Sequence, residues 1–176
     1  VREELDPVAA LEADLAALAA ADADLERDAE AAERTRIERS ALTLADRLRA
    51  AHAPVRLAVL GGGSLLGLVE EVGADAVVLR PPVSGHHERH LVRLDTVIEV
   101  GGLERGALVP RGRLHPRSTT ALLRAWCRDR ATVSVALVDG SVRTGVAGAA
   151  YADHLDLLAP SGPVAVPFGV LAVVSR

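Results

Sequence analysis

Apolar positions change their period once along the chain. From Pro7 to about Ala51 the sequence carries no glycine and no further proline, and Val8, Leu11, Leu15, Leu18, Leu25, Ala29 and Ala32 recur at alternating steps of three and four. That spacing predicts one long helix with a coiled-coil stripe, interrupted where Asp22 takes a seam position. Asp6-Pro7 supplies its start, a capping acid followed by proline at the first helical position. Thr43-Leu-Ala-Asp46 is a second capping pattern, so a break is expected near Leu42, followed by a short helix.

Beyond Val55 the period falls to two. VRLAVL and VSVALV, starting at Val55 and Val133, read as strands, each closed by a glycine turn at Gly61 to Gly63 or at Asp139-Gly140. A second strand follows in each case, with Gly67 or Gly145 where a missing Cβ permits bending or close backbone approach. Gly73-Ala-Asp75 and Tyr151-Ala-Asp153 then supply the next turn, and third strands end near Leu79 and Leu158.

These two stretches are copies of one another. Val55, Ala58, Gly62, Gly67, Ala74, Asp75 and Leu79 recur without a gap as Val133, Ala136, Gly140, Gly145, Ala152, Asp153 and Leu157. The same offset lays TLADRLRAAHAPV on ALLRAWCRDRATV, so each copy begins with a short helix; Trp126 then takes the place of Leu48 and is expected to pack its helix onto the strands. Self-similarity of this kind fixes architecture before any single motif does. The copies diverge after the third strand, where RPPVSGHHERH precedes LVRLDTVIEV but only APSGP precedes VAVPFGVLAV.

Helix, five short bent strands and a variable loop between the third and fourth resemble the Sm-like small-barrel fold, a relative of SH3-like barrels. The residues carrying the resemblance are Gly67 within GLVEEVGADAVVL and VRLDTV at 92–97. The expected fold is mainly β with an N-terminal α segment: a long helix followed by two tandem five-stranded Sm-like barrels, each preceded by a short helix. The expected divisions are an acidic helical segment (1–42), a first barrel (43–100), a basic Gly/Pro linker (101–119) and a second barrel (120–176). The layout also resembles an uncharacterised actinobacterial family with a helical LTLADRLRAA segment and two such repeats, some of whose members are described as transcriptional regulators. No helix-turn-helix pattern accompanies it.

The Sm resemblance implies RNA or a ribonucleoprotein as ligand, with a base held near the second-to-third strand turn and a basic element before the last strand. Asp75 and Arg93 occupy those places. The chain departs from the pattern: no Asn accompanies Asp75, Leu94 stands where Gly would follow Arg93, and Val166, Pro167 and Phe168 replace the basic element in the second copy. For Asp75 and Asp153 the first reading is that of turn-closing carboxylates that accept backbone N–H groups, with base contact as the alternative. Arg105, Arg111, Arg113 and Arg117 in the linker are further candidates for phosphate contacts, with surface solubility as the alternative.

Charge separates the segments. Residues 1–52 hold thirteen acids against seven Arg, and the remainder eleven acids against thirteen Arg, with no Lys anywhere. That mild excess does not amount to the strong basic patch of a protein that lives on phosphate backbones. Three aromatics, Trp126, Tyr151 and Phe168, leave few platforms for base stacking. A protein-only scaffold is therefore the second reading, joined through barrel edges and through Leu11, Leu15, Leu18 and Leu25 to a partner or to a second copy, and a DNA-binding regulator the third.

Chemistry beyond binding finds no footing. His86, His87 and His90, with Glu88, are zinc ligands by type, yet they follow Pro81-Pro82 without helical spacing and read as a solvated loop. Gly61-Gly62-Gly63-Ser64 lacks the lysine and helix of a phosphate loop, and its copy Asp139-Gly140-Ser141 is a hairpin turn. No nucleophile elbow or paired carboxylate appears, so neither an enzyme nor a cofactor is expected. One cysteine, no membrane-length apolar run and an acidic opening unlike a signal peptide make a cytoplasmic home the expectation.

Overall fold

The computed structural model describes residues 7–82, 88–103 and 116–176, and the chain divides into two compact units, Val1–Leu42 and Thr43–Arg176. The first unit is helix α1 (Pro7–Ser40). Ion pairs one turn apart, Arg27 with Asp24, Arg34 with Glu30 and Arg36 with Glu33, lie along it in full exposure. Each such pair contributes at most about 0.5 kcal/mol. The seam residues Leu11, Leu15, Leu18 and Leu25 are all exposed.

The second unit opens at Thr43, whose extended backbone starts α2 (Leu44–Arg49) through a reciprocal cap. Thr43 Oγ accepts from the Asp46 N–H at 3.1 Å while the Asp46 carboxylate accepts from the Thr43 N–H at 3.1 Å. The Thr43 hydroxyl, then its N–H, hold the Asp46 carboxyl below its ordinary value. Thr43→Ala is expected to cost about 1 kcal/mol, read as a lower urea midpoint. Because the folded pKa is lowered, this cap contributes fully above the ordinary carboxylate range and fades as pH falls through the folded value. An unchanged midpoint at neutral pH would show that the cap is idle.

Five strands follow: β1 (Val55–Val59), β2 (Gly63–Val72), β3 (Ala76–Arg80), β4 (His90–Arg93) and β5 (Val97–Gly101). The second repeat runs α3 (Thr119–Arg128), β6 (Thr132–Leu137), β7 (Val142–Ala150), β8 (His154–Ala159), β9 (Gly162–Pro167) and β10 (Leu171–Ser175). Short 3-10 turns, Leu94–Thr96 and Phe168–Val170, join the last two strands of each repeat.

The duplication is kept to the level of register. Ala58 faces Glu99 as Ala136 faces Val173, Leu57 faces Leu65 as Val135 faces Arg143, and Val77 faces Val92 as Leu155 faces Val166. Both copies carry an irregularity in the second strand, between Val69 and Glu71 and between Ala147 and Ala150. Gly67 and Gly145 lie just before these bends, pressed on the third strand: a Cβ there would sit 2.8 Å from the Arg80 carbonyl oxygen and 2.6 Å from that of Leu158.

Two separately closed barrels are not what the hydrogen bonds make. All ten strands join in one antiparallel sheet of order β5-β1-β2-β3-β4-β10-β6-β7-β8-β9, open at β5 and β9. The difference arises at β4, which pairs with β10 of the other repeat. Each core consequently borrows from its neighbour. Ala76, Val78 and Leu91 of the first repeat pack with Leu122, Leu123, Trp126 and Phe168 of the second. Ala172 and Val173 of the second pack with Leu48, Leu57, Leu79 and Val92 of the first. Strands β3 and β10 are buried on both faces, which is why AVVL and LAVV read as unbroken apolar runs.

Candidate functional site

The joint between repeats combines a strand ladder with polar side-chain contacts. β10 lies on β4 with Val173 opposite Val92, Val174 opposite Leu91 and Ser175 opposite His90. Arg89 and Arg176 extend the ladder by exchanging both backbone bonds at 2.9 Å. At the other end the turn after β2 receives the start of α3. Asp75 Oδ1 accepts the Thr119 N–H at 2.7 Å, and the Ala74 N–H donates to the Arg117 carbonyl at 2.9 Å. The Arg117 guanidinium grips the Glu71 carboxylate, with Nε at 2.7 Å, and that bond raises the arginine pKa further against the opposing effect of desolvation.

These contacts place the residues read from sequence as nucleic-acid ligands. Asp75 serves the joint: its carboxylate satisfies an N–H at the first turn of α3, where four such groups lack helical partners. Arg93 folds back on Asp95, with Nε at 3.0 Å, and its side chain is only 12% exposed. Arg117 is held by Glu71. Arg105, Arg111 and Arg113 lie outside the described residues. Asp75 and Arg117 thus meet at one joint, Arg93 stands apart in its own ion pair, and the contacts formed are internal.

The histidine cluster divides similarly. His86 and His87 lie outside the described residues, while His90 sits in β4 with Nδ1 2.8 Å from Ser175 Oγ. Glu88 stands 3.9 Å from the other ring nitrogen, beyond hydrogen-bond reach, so a hydroxyl, a base and an orienting acid are not linked in series. An open groove of about 520 Å³ beside them is lined by Glu88, Thr132, Ser134, Thr144, Ser175 and Arg176. Among the described residues no group of three or more His, Cys, Asp or Glu is arranged for a metal ion. Burial, then the nearby Asp156 charge, push the Cys127 thiol up, which disfavours the thiolate. No described helix is long and apolar enough to cross a membrane.

No protein-family model matches this chain, and no curated protein or solved structure does. Function therefore rests on the geometry itself.

That geometry singles out the two open edges. By the shared register β5 repeats β10 and β9 repeats β4, so the strands with an open outer edge are the counterparts of the two strands paired in the joint. The flanking residues follow suit. Leu44, Leu60 and Ile98 are 36%, 43% and 64% exposed, whereas their counterparts Leu122, Val138 and Ala172 contribute to the two cores. On the β9 side Val164 is exposed where His90 is covered, and Ala165 where Leu91 is buried. Joint positions turn polar beside the edges: Glu99 replaces Val173, His154 replaces Ala76 and Asp156 replaces Val78.

The turn before β8 has its own polar group. His154 Nδ1 lies 2.7 Å from Asp153 Oδ1, its ring stacks on Tyr151 with centroids 4.6 Å apart, and the His154 bond holds the Asp153 carboxyl below its ordinary value. Asp153 is the counterpart of Asp75 and is 87% exposed, and its carboxylate partners His154 where that of Asp75 takes the start of α3. Sequence reasoning passed over Leu44, Leu60, Ile98 and Glu99, although a signal existed: VIEV at the first edge repeats LAVV at the joint, with one charge introduced.

Proposed function

We propose that this chain is a non-catalytic protein-assembly module, built of two tandem Sm-like repeats that share one open sheet, whose outer edges take up strands from partner protein. The supporting observation is the exposure of Leu44, Leu60 and Ile98 beside the open edge of β5, at positions whose counterparts are covered in the β4–β10 joint. An open edge flanked by apolar side chains is a template for strand addition. The exposed seam of α1, at Leu11, Leu15, Leu18 and Leu25, provides a second attachment of coiled-coil type in this reading. The RNA or ribonucleoprotein reading draws on Asp75, Arg93 and Arg117, each engaged by a neighbouring group of the chain itself.

Titration of nuclease-treated protein with single-stranded RNA, single-stranded DNA and duplex DNA at graded salt separates the two. The expected result is no preference among the three and no steep salt dependence, for the parent and for Arg93→Ala alike. Binding that prefers RNA, weakens by orders of magnitude with added salt and shows a shallower salt slope in Arg93→Ala would overturn the protein-assembly reading.

A further inference from the structure

The core residues packed at the inner joint have counterparts beside the two open edges, and the charges introduced there are complementary. Val173 sits in the first core, and Leu65 packs against that core. Their counterparts are Glu99 on β5 and Arg143 on β7, both exposed. Val78 sits in the second core, with Ala125 packed against it. Their counterparts are Asp156 on β8 and Arg47 on α2. The β5 side thus offers Glu99 and Arg47, and the β9 side Arg143 and Asp156. A carboxylate placed where Val173 lies would be costly alone, and a guanidinium delivered to the same core rim offsets that cost.

We propose that β5 of one copy of this chain pairs antiparallel with β9 of a second copy, in the register β10 takes on β4, with Glu99 of the first copy held by Arg143 of the second. The pairing rests on the assembly reading above and names its partner. It sets Glu99 across from Val166, Val100 from Ala165 and Gly101 from Val164. Leu44, Leu60 and Ile98 then gain the cover their counterparts already have, and Asp156 of the second copy meets Arg47 of the first. The contact is heterologous, because the two faces differ, so the first copy keeps its β9 edge open and the second its β5 edge.

Sedimentation velocity of the full chain over a wide concentration range tests this, with Glu99→Arg, Arg143→Glu, the double variant and an equimolar mixture of the single variants. Both positions are exposed in the isolated chain, so folding is retained, and the urea midpoint verifies it. The expected outcome is an associating parent, association weakened about tenfold or more in each single variant, and recovery of the parental mass in the double variant and in the mixture. A parent that stays monomeric, or single variants that associate as the parent does, would overturn the pairing. So would an oligomer that ignores both reversals and dissolves on serine replacement of Leu11, Leu15 and Leu18. A monomeric parent that also ignores RNA removes this pairing and leaves the protein-assembly reading in place, whereas salt-steep RNA binding removes that reading itself.

Discussion

Truncation of Leu57 to Ala is expected to shift the unfolding transition reported by Trp126 fluorescence as far as the one reported by far-ultraviolet circular dichroism. Leu57 is fully buried in the core of the first repeat, and Trp126, the single tryptophan, is buried in the core of the second. Two independent barrels would leave Trp126 indifferent to Leu57. Here β10 connects them: Leu171 and Val174 face one core while Ala172 and Val173 face the other, and β3 divides Ala76 and Val78 from Val77 and Leu79 in the same way. Loss of three carbons from a fully buried leucine costs about 2–5 kcal/mol, depending on how far the site collapses. Coincident transitions, both moved to lower denaturant by that amount, are the mark of one cooperative unit. A Trp126 transition that stays put while circular dichroism becomes biphasic would mean that the repeats fold separately.

The same strands show how much of the fold the sequence carries. The duplication, the helix before each copy, the break near Leu42 with its cap at Thr43 and the bend at Gly67 and Gly145 are local properties, and local chemistry records them. Thr43 and Asp46 need only each other, and a glycine pressed against a carbonyl needs only the adjacent strand. Which edge pairs with which is a long-range property. AVVL at β3 and LAVV at β10 do report burial on both faces, and their counterparts HLDL at β8 and VIEV at β5 report one wet face. Those contrasts become readable only when the copies are laid side by side and their differences, rather than their identities, are taken as the signal.

The candidate site followed the same logic in reverse. Asp75 and Arg93 attract attention as isolated charges, yet a carboxylate beside a helix start and an arginine two residues before an aspartate have partners within the chain. Asp153 keeps the sequence of Asp75 but partners His154, which sets the second repeat's outer turn apart from the joint. Neither Ile98 nor Glu99 carries any motif. Their meaning comes from Ala172 and Val173, which occupy the equivalent places and are covered.

Gly145→Ala should be among the most damaging single-methyl additions in this chain, and Gly67→Ala somewhat less so. An added Cβ at Gly145 would stand 2.6 Å from the Leu158 carbonyl oxygen and 2.9 Å from Leu157 Cγ, against 2.8 Å from the Arg80 carbonyl oxygen and 3.0 Å from Leu79 Cβ at Gly67. Both clashes are with strand backbone already tied into the ladder, so relief requires the bent second strand to move away from the third. Overpacking of this kind costs about 1–3 kcal/mol, and more where backbone must shift. Gly169 provides the control, because a Cβ there meets nothing within 4 Å and Gly169→Ala should leave stability within about 0.5 kcal/mol. Urea unfolding should therefore order the midpoints Gly145→Ala, Gly67→Ala, then Gly169→Ala from lowest to highest. Equal midpoints for Gly145→Ala and Gly169→Ala would mean that the second and third strands are not in the close contact on which the curvature of each repeat depends.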